Sequence, residues 1–585
     1  MGFSPPSTSR RGMPKKGGKK QTPAAEVKEE EDVKGKVKVE EPAEVKPEIK
    51  DEAGGVPSAG VGVKREREGD TEVKQEEAKR AAVNLDEDDV DDFAEAEEEE
   101  FNVGGRRKAA QRFCPYLDSI NRHVLDFDFE KVCSVTNSHL NVYACLVCGR
   151  YFQGRARGSA AYFHSLENHH MVFMKLETGR VYCIPDNYEV TDSSLADIKH
   201  NLNPTFAQEE VANFDLKVKY SRGIDGTEYI PGTVGLNNLK DTAYINVIVQ
   251  ALTCVADFRD FFILEENYSH FKSPLVQRFG ELVRKMWNPT AFKGQVSPHE
   301  LFQAISVESN RKYKSDIHSD PAEFMVWFLN SLHRGLGGTT ANGSSVIHHV
   351  FQGRVKAESK KLTVKKAAAQ ADEEEEWDAE EKPFLHLTLD LPATPLYADS
   401  LEKNIIPQVP LLNILHKFDG VTEHIARNRV SRYQLLKLPR YIIFHIKRFS
   451  KNTQFEMEKN PTIVSFPIKK LDLREFVLLS DELKDQVTQY DLVANVCHEG
   501  LVTKASYTNE VHDRGTIVKE GVFRAQVLNK SQDQWYQIDD LHIQEILPQV
   551  VSISEAYVQI YERSDITQTR NQTKAGAAGA EAKKD

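Results

Sequence analysis

The spacing of hydrophobic and polar residues divides this chain into parts of different character. Residues 1–105 have no apolar periodicity and are nearly free of aromatic residues before Phe93, whereas Lys, Glu, Pro, Gly and Ala dominate. Such a segment buries too little apolar surface to offset the conformational entropy of an ordered chain. We therefore expect a disordered, charged arm over residues 1–105, and folded domains after it.

From residue 113 onward, the pattern becomes that of a globular protein. Residues 124–129 alternate between apolar and polar side chains, as folded domains often do. Residues 384–391 and 438–449 alternate in the same way and are typical of half-buried strands. Residues 186–222 contain few turn-forming residues and predict a partly helical connector. The highly charged residues 358–382 predict a surface insertion between strands, and residues 564–585 predict a second disordered tail.

One stretch, Gly235–Leu252, has the layout of a nucleophile-bearing loop that leads into a helix. Asn237 and Asn238 are turn-forming residues, Thr242 can cap a helix, and Ala243 would be its first residue. The apolar residues that follow recur at helical spacing: Ile245, Ile248, Val249 and Leu252. A cysteine at a helix start is activated as a thiolate by the helix dipole, but alanine has no such chemistry.

The cysteines are concentrated in one region of the chain. Five of the seven lie between positions 114 and 183, which favours a local metal site in a reducing compartment over a disulfide framework. Cys145 and Cys148 form a CxxC turn, and His164 and the pair His169-His170 follow it. Two thiolates and two imidazoles form a tetrahedral set that suits zinc.

The charge of the chain excludes some functions and suggests a location. The net charge of −13 comes mainly from acidic tracts before residue 100, so it does not indicate nucleic-acid binding by the folded domains. No apolar run reaches the roughly 18 residues that cross a bilayer, and we expect a soluble, intracellular protein without membrane contact. Basic clusters such as Lys15-Lys16 and Lys64-Arg65 are typical of nuclear localisation signals, or of solvated charge.

A short motif, an aliphatic residue followed by lysine, any residue and glutamate, occurs six times within the arm. It resembles the acceptor motif for the small ubiquitin-like modifier, and an unstructured arm would present each lysine freely. The alternative is that the motif only reflects a composition rich in Val, Lys and Glu. The candidate acceptors are Lys28, Lys38, Lys46, Lys50, Lys64 and Lys74.

Residues 235–252, GLNNLKDTAYINVIVQAL, resemble the cysteine box of the ubiquitin-specific proteases. Further segments resemble family landmarks in the same order: a helix that begins at residues 319–324, and strands at residues 349–353, 384–391, 438–449 and 464–473. The resemblance implies an α+β, papain-like domain with fingers, palm and thumb over residues 228–563. It also implies that the second zinc site of many members, which needs two CxxC pairs in the fingers, is absent.

The same resemblance implies that the catalytic apparatus is incomplete. Ala243 stands where the family has its nucleophilic cysteine, and Val522 stands where it has its histidine base. Asn238 and Asp539 match the family's oxyanion-stabilising asparagine and orienting carboxylate. Neither Cys254, deep in a helix, nor Cys497, beside His498 in a strand, is expected to replace the nucleophile.

Residues 145–170 resemble the UBP-type zinc finger, a small α/β module that accompanies many ubiquitin-specific proteases; we expect it over residues 108–205, joined by a connector over 206–227. The resemblance implies zinc ligands at Cys145, Cys148, His164 and His170, with His169 as the alternative to His170. The other cysteines of this region, Cys114, Cys133 and Cys183, are expected to be small buried hydrophobic residues. With His123 and His139 they form the alternative of a second metal site.

The zinc finger and the vacant positions together resemble one branch of the family, whose members associate with the tri-snRNP in pre-mRNA splicing. The resemblance implies a nuclear, non-catalytic scaffold that binds tri-snRNP proteins, with no indication of direct RNA binding. Two alternatives remain. One is an adaptor that binds ubiquitin or a ubiquitin-like protein without cleaving it, and the other is an active deubiquitinase with an unrecognised nucleophile.

Overall fold

The computed structural model describes residues 114–361, 377–393, 407–426, 429–451, 457–478, 487–500 and 521–581. The predicted disordered arm over residues 1–105, with its six lysine motifs, lies outside the described residues. Among the helices within these ranges, none combines the length and the apolar character that crossing a bilayer requires.

The first folded part is a small module built on a five-stranded antiparallel sheet in the order β2-β1-β3-β4-β5. One helix, α1 (Ala160–Asn168), packs against β2, and Ser159 caps it by accepting a hydrogen bond from the Tyr162 amide. The strands are short and largely buried, as their apolar composition predicts. Their bounds are β1 (Val142–Cys145), β2 (Tyr151–Gln153), β3 (Val172–Lys175), β4 (Val181–Cys183) and β5 (Tyr188–Glu189).

The connector that follows is partly helical, as predicted. Its helices are α2 (Ala196–Leu202) and α3 (Gln208–Asn213), and the hairpin of β6 (Ser221–Arg222) and β7 (Glu228–Tyr229) follows them. Arg259 of the large domain donates to the carboxylate of Asp215, just after α3, at 2.7 Å. The connector is therefore held on the large domain by a charged hydrogen bond.

The first half of the large domain is mainly helical. Its central helix α4 begins at Ala243, the residue predicted, and all of its side chains except Ala243 are buried. The short parallel pair of β8 (Gly235–Leu236) and β9 (Gln295–Val296) lies beside it. The helices of this half are α4 (Ala243–Thr253), α5 (Ala256–Ile263), α6 (Pro274–Met286), α7 (His299–Glu308), α8 (Pro321–Gly335) and α9 (Val346–Phe351).

The second half is mainly sheet. A four-stranded sheet has the order β11-β10-β15-β14, and a larger sheet has the order β12-β16-β25-β21-β22-β23-β24, with β20 paired to β21. Two small pairs, β13-β19 and β17-β18, complete the described strands. Their bounds are β10 (Gly353–Lys361), β11 (Asp378–Phe384), β12 (Leu387–Asp390), β13 (Gln408–Pro410), β14 (His424–Ala426), β15 (Arg429–Lys437), β16 (Tyr441–Lys447), β17 (Phe449–Lys451), β18 (Met457–Lys459), β19 (Ile463–Ser465), β20 (Leu471–Asp472), β21 (Gln489–Glu499), β22 (Val522–Asn529), β23 (Gln534–Asp539), β24 (His542–Ile546) and β25 (Ala556–Arg563). Two short helices lie between these strands: α10 (Leu411–Leu415) and α11 (Pro548–Ser552).

Three predicted boundaries were wrong. The charged insertion is shorter than residues 358–382, because both of its ends pair as strands: Glu358 lies opposite Ala379 in the β10–β11 ladder. Residues 346–351, assigned in part to a strand, form helix α9. The described part of the predicted disordered tail forms helix α12 (Ser564–Glu581), and Arg570 of this helix pairs at 2.9 Å with the fully buried carboxylate of Glu562.

The module and the large domain are joined by a buried ionic interface. Lys285 of α6 donates to the carbonyl oxygen of Phe127 at 3.0 Å and pairs with Asp128 at 3.3 Å. Lys293 pairs with Asp126 at 2.6 Å. A buried lysine is stable only when its charge is compensated and its N–H groups are bonded. Residues 126–128 thus attach the module to the large domain.

Candidate functional site

We call the region around Ala243 and Val522, where the family has its cysteine and its histidine, the vacant centre. The residues predicted there come from three elements that pack together. Ala243 is the first residue of α4, Val522 begins β22 and Asp539 ends β23, and α4 packs against both strands. The turn before α4 is tight, since Lys240 adopts a positive φ of 80°. The structure therefore brings the four positions taken from the sequence to one end of α4.

Asn238 is bonded on both sides of its amide. Its Nδ2 donates to Asp540 Oδ2 at 2.8 Å, and its Oδ1 accepts from the backbone N–H of Thr242 at 3.0 Å. Asn246 of α4 donates to the other oxygen of Asp540, also at 2.8 Å. Asp540 takes one of the two N–H groups of the Asn238 amide, so one N–H is left for the oxyanion role, which stays a prediction from the sequence.

Thr242 does not cap α4 as expected. Its side chain instead accepts from the Leu239 amide at 2.9 Å and lies 3.2 Å from Asn238 Oδ1. The hydroxyl thus orders the loop that precedes the helix rather than the first helical turn.

Asp539 matches a family carboxylate that orients an imidazole, but its hydrogen-bond partner in this protein is an arginine. Arg524 Nε donates to Asp539 Oδ2 at 3.1 Å, and its Nη1 pairs with Glu499 on β21. Val522 itself is 43% exposed and offers only methyl groups. The guanidinium takes one hydrogen-bonding position of Asp539. Arg524 was not among the predicted site residues, because its role depends on strand register.

The other cysteines of the large domain are unsuited to nucleophilic attack. Burial raises the pKa of both Cys254 and Cys497 to about 12, which keeps each thiol protonated at neutral pH. His498 is fully buried, and its burial lowers the pKa of the imidazole to about 3. It packs edge-on against Phe523 with ring centroids 4.7 Å apart. His498 is therefore a packed residue and not a base.

The four predicted metal ligands of the module converge. Their ligand atoms all lie within 4.8 Å of one another, and among the described residues this is the one such group of His, Cys, Asp or Glu side chains. Cys145 and Cys148 bracket the turn after β1, His164 lies on α1, and His170 follows it. His169, the alternative ligand, is exposed and adopts a left-handed conformation with φ of 57°.

The distances within this group fit a tetrahedral zinc ion. Cys145 Sγ lies 3.6 Å from His170 Nδ1, Cys148 Sγ lies 3.4 Å from His164 Nε2, and the two histidine nitrogens are 3.0 Å apart. With bonds of about 2.0–2.3 Å, tetrahedral zinc ligands lie roughly 3.3–3.8 Å from one another. Both sulfur–nitrogen distances fall in this range, and the nitrogen–nitrogen distance is slightly shorter. The hydrogen bond from the Cys145 thiol lowers the pKa of Cys148 to about 4. Zinc bound here would cross-link β1 to α1.

The remaining cysteines of the module are buried, as expected of small hydrophobic residues. The sulfur of Cys133 accepts N–H hydrogen bonds from Val135, Thr136 and Gln153 at 3.2–3.4 Å. His139, offered as a ligand of a second metal site, has a side chain that is 63% exposed and lies near Glu130. Within the described ranges, these residues do not assemble a second metal site.

Comparison with family models matches two regions of the chain. Residues 234–561 match the model of ubiquitin carboxyl-terminal hydrolase. Residues 133–195 match the model described as a Zn-finger in ubiquitin-hydrolases and other proteins. These regions contain the large domain with its vacant centre and the module with its cysteine and histidine cluster.

Comparison with individual proteins gives relatives that extend over most of the chain. Human "Ubiquitin carboxyl-terminal hydrolase 39" is 46% identical over 504 residues, which are 83% of this chain and 86% of the relative. "Probable mRNA-splicing protein ubp10" of Schizosaccharomyces pombe is 42% identical, over 86% of this chain and 98% of the relative. Among solved structures, the "Crystal structure of an essential yeast splicing factor" matches with a TM-score of 0.60 and 26% identity, over 77% of this chain and 99% of that chain.

Proposed function

The chain belongs to the ubiquitin carboxyl-terminal hydrolase family, and we propose that it is a member that does not cleave ubiquitin. The observation that carries this proposal is the state of the centre at the end of α4. Ala243 and Val522 have no nucleophilic or basic atom. Asn238 and Asp539, which match family positions, are hydrogen-bonded to Asp540 and Arg524. Cysteine hydrolases need a thiolate and an imidazole within hydrogen-bond reach.

The protein acts in pre-mRNA splicing as a scaffold or recruitment factor for the tri-snRNP. Two observations support this role: relatives named as splicing proteins are similar over most of their length, and a solved yeast splicing factor has the same fold. The partners are proteins of the tri-snRNP, and the protein is nuclear. Its ionic interface supports a scaffold, because it attaches the module to the large domain.

Zinc is the cofactor, and Cys145, Cys148, His164 and His170 hold it. Its role is structural, since all four tetrahedral positions would be protein ligands and none is left for a substrate. The fit of the distances and the match to the zinc-finger model support this assignment.

A second candidate function is an adaptor that binds ubiquitin or a ubiquitin-like protein without cleaving it. The family match supports it, because the large domain keeps the overall architecture of a ubiquitin hydrolase. Calorimetric titration with free ubiquitin separates the two candidate functions. A heat of binding that saturates supports the adaptor, and the absence of binding heat supports the scaffold.

The proposal is tested by purifying the tagged full-length protein from nuclear extract and identifying the RNA and proteins bound to it. We expect the snRNAs and proteins of the tri-snRNP at a defined stoichiometry. Their absence would overturn the splicing role. In parallel, a ubiquitin-derived electrophilic probe should leave the protein unlabelled, since only a reactive thiolate forms the covalent adduct.

A further inference from the structure

One large cavity among the described residues does not lie at the vacant centre. It has a volume of about 620 Å³ and lies where the connector crosses the large domain. We call it the connector cavity; its lining includes Thr205, Phe206, Phe214, Cys254, Trp287 and Lys530. Pockets that bind ligands have volumes of roughly 300–1,000 Å³ and are mostly apolar with a few convergent polar groups.

One wall of the connector cavity is aromatic. Phe214 stacks on Trp287 with ring centroids 4.9 Å apart, and Phe206 meets Phe214 edge-on at 5.6 Å. The guanidinium of Arg259 lies over the Trp287 ring at 4.4 Å and holds it in place. Aromatic walls of this type favour a large apolar or aromatic group, because such rings prefer stacked or edge-to-face contacts.

The charges at the base of the cavity are already compensated. Arg259 is 2% exposed and pairs with Asp215 at 2.7 Å and with Asp260 at 2.6 Å. Lys530, also 2% exposed, pairs with the fully buried Glu562 at 2.7 Å. A phosphate, carboxylate or ammonium group would therefore find no free opposite charge at the base of the cavity, so a charged group of a ligand would have to bind at the rim.

Two polar groups of the lining remain for a ligand. The indole Nε1 of Trp287 is buried and has no acceptor among the described residues. Lys219 lines the cavity at an exposed position and makes no ion pair within the described part of the chain. A buried donor without an acceptor is unfavourable, so a ligand carbonyl that accepts from Trp287 would gain affinity.

We propose that the connector cavity binds a peptide segment of a partner protein that inserts one large apolar side chain. A backbone carbonyl of the segment accepts from Trp287 Nε1, and an acidic residue next to the inserted side chain pairs with Lys219. This peptide chemistry matches the lining: an apolar group for the aromatic wall, a neutral acceptor for the indole and one negative charge for the rim. The identity of the partner, a protein of the tri-snRNP, rests on the proposed function.

The direct test is a titration of the full-length protein labelled with 5-fluorotryptophan. The chain has four tryptophans, and the variant Trp287→Phe identifies the Trp287 resonance. The probe is the peptide N-acetyl-Gly-Asp-Phe-Gly-amide, compared with versions in which Phe is replaced by Gly or Asp by Lys. We expect a saturable shift of the Trp287 resonance with the first peptide and affinity at least about tenfold weaker with the Gly version.

Two variants and one control locate the binding. Thr205→Trp fills the cavity from an exposed position and should abolish the shift, and Lys219→Glu should weaken binding of the Asp peptide but not that of the Lys version. Val307→Trp places an indole at a position that is 78% exposed, on another part of the surface, and should change nothing. An unshifted Trp287 resonance at about 1 mM peptide, or equal binding by the Gly version, would overturn the proposal. Equal binding by N-acetylphenylalanine amide would also overturn it, since that result describes a small-molecule site.

The cellular test separates this proposal from the proposed function. Thr205→Trp should lose tri-snRNP proteins in the nuclear-extract purification, whereas Val307→Trp should retain them. If Thr205→Trp retains them, the cavity is not the docking site, although the scaffold function stands. If the unchanged protein binds no tri-snRNP, the proposed function fails, and the peptide titration alone decides whether the cavity binds peptide.

Discussion

Arg524 Nε donates to Asp539 Oδ2 at 3.1 Å, between neighbouring strands of the large sheet. The residue that matches the family's orienting carboxylate thus has a permanent cationic partner. Arg524 also reaches Glu499, so a single guanidinium links β21, β22 and β23. Arg524 thus holds Asp539 where the family has an imidazole, and we expect that restoring catalysis requires more than the two missing side chains.

We predict that the protein does not hydrolyse ubiquitin and that the double variant Ala243→Cys, Val522→His remains at background. Asp539 would stay bound to Arg524, and Asp241 adds negative charge near the new thiol, which disfavours the thiolate. Adding Arg524→Ala frees Asp539, and the triple variant should exceed the double. The measurement is hydrolysis of a fluorogenic ubiquitin substrate by all forms. Turnover by the unmodified protein, above a heat-killed sample, would contradict the pseudoenzyme assignment.

One zinc ion per chain is expected, and Cys148→Ser should remove it. Structural zinc stabilises small modules by roughly 10 kcal/mol or more, so the module should unfold locally. The large domain should lose only the stability that comes from the pairs of Lys285 and Lys293 with Asp128 and Asp126 of the module, because its own core does not depend on the metal. Metal analysis and differential scanning calorimetry measure both effects, with Cys254→Ser as the cysteine control outside the cluster. Two zinc ions per chain in the unmodified protein would contradict the single site.

The ionic interface between module and large domain should be sensitive to the loss of its central lysine. Lys285→Met leaves the buried carboxylate of Asp128 without its partner, and breaking a buried pair costs about 3–5 kcal/mol. Lys312→Met removes an exposed lysine that pairs with Glu323, and it should cost less than about 1 kcal/mol. Denaturant unfolding compares the two variants. Similar decreases in the free energy of unfolding of both variants would show that the Lys285 pair contributes no more than an exposed ion pair.

Stability should fall as the pH drops below neutrality. The pKa of His498 is about 3 in the folded protein, against 6.5 for an ordinary histidine, because burial and the nearby Lys459, His318 and Arg448 disfavour its charged form. The unfolded chain therefore binds an extra proton below about pH 6.5, and folding loses about 2 kcal/mol from this residue between pH 7 and pH 5.

The test is urea unfolding at pH 7 and pH 5. His498→Leu should reduce the pH dependence, since neither ring nitrogen has a hydrogen-bond partner to lose. His139→Leu, at an exposed position, should leave it unchanged. His445, with a pKa lowered to about 4, keeps part of the dependence in the variant. An unaltered difference between pH 7 and pH 5 in His498→Leu would contradict the assignment.

The six lysine motifs of the arm remain a prediction from sequence. Replacement of Lys28, Lys38, Lys46, Lys50, Lys64 and Lys74 by Arg should abolish conjugation of the small ubiquitin-like modifier to the arm while preserving its charge. Immunoblotting of the protein purified from cells measures this conjugation. Unchanged conjugation would mean that these lysines are only solvated charge.

Much of the candidate site was determined by local sequence. The helix that begins at Ala243 follows from turn residues and apolar spacing within a dozen positions. The vacancy is also a property of the sequence, because folding cannot supply a thiol or an imidazole that the side chains lack. Likewise, the CxxC turn and the later histidines predict a zinc set, since a turn and one helix are enough to bring them together.

The tertiary structure alone decided which groups these residues contact. Asn238 and Asp540 are 302 positions apart, and Lys285 and Phe127 are 158 apart. Such partners are selected by sheet register and by packing between elements, which no local pattern encodes. The same reason explains why helix α12 was not predicted. The helix has little apolar character of its own, and its Arg570 pairs with the buried charge of Glu562. The connector cavity likewise exists only because the connector folds back over the large domain.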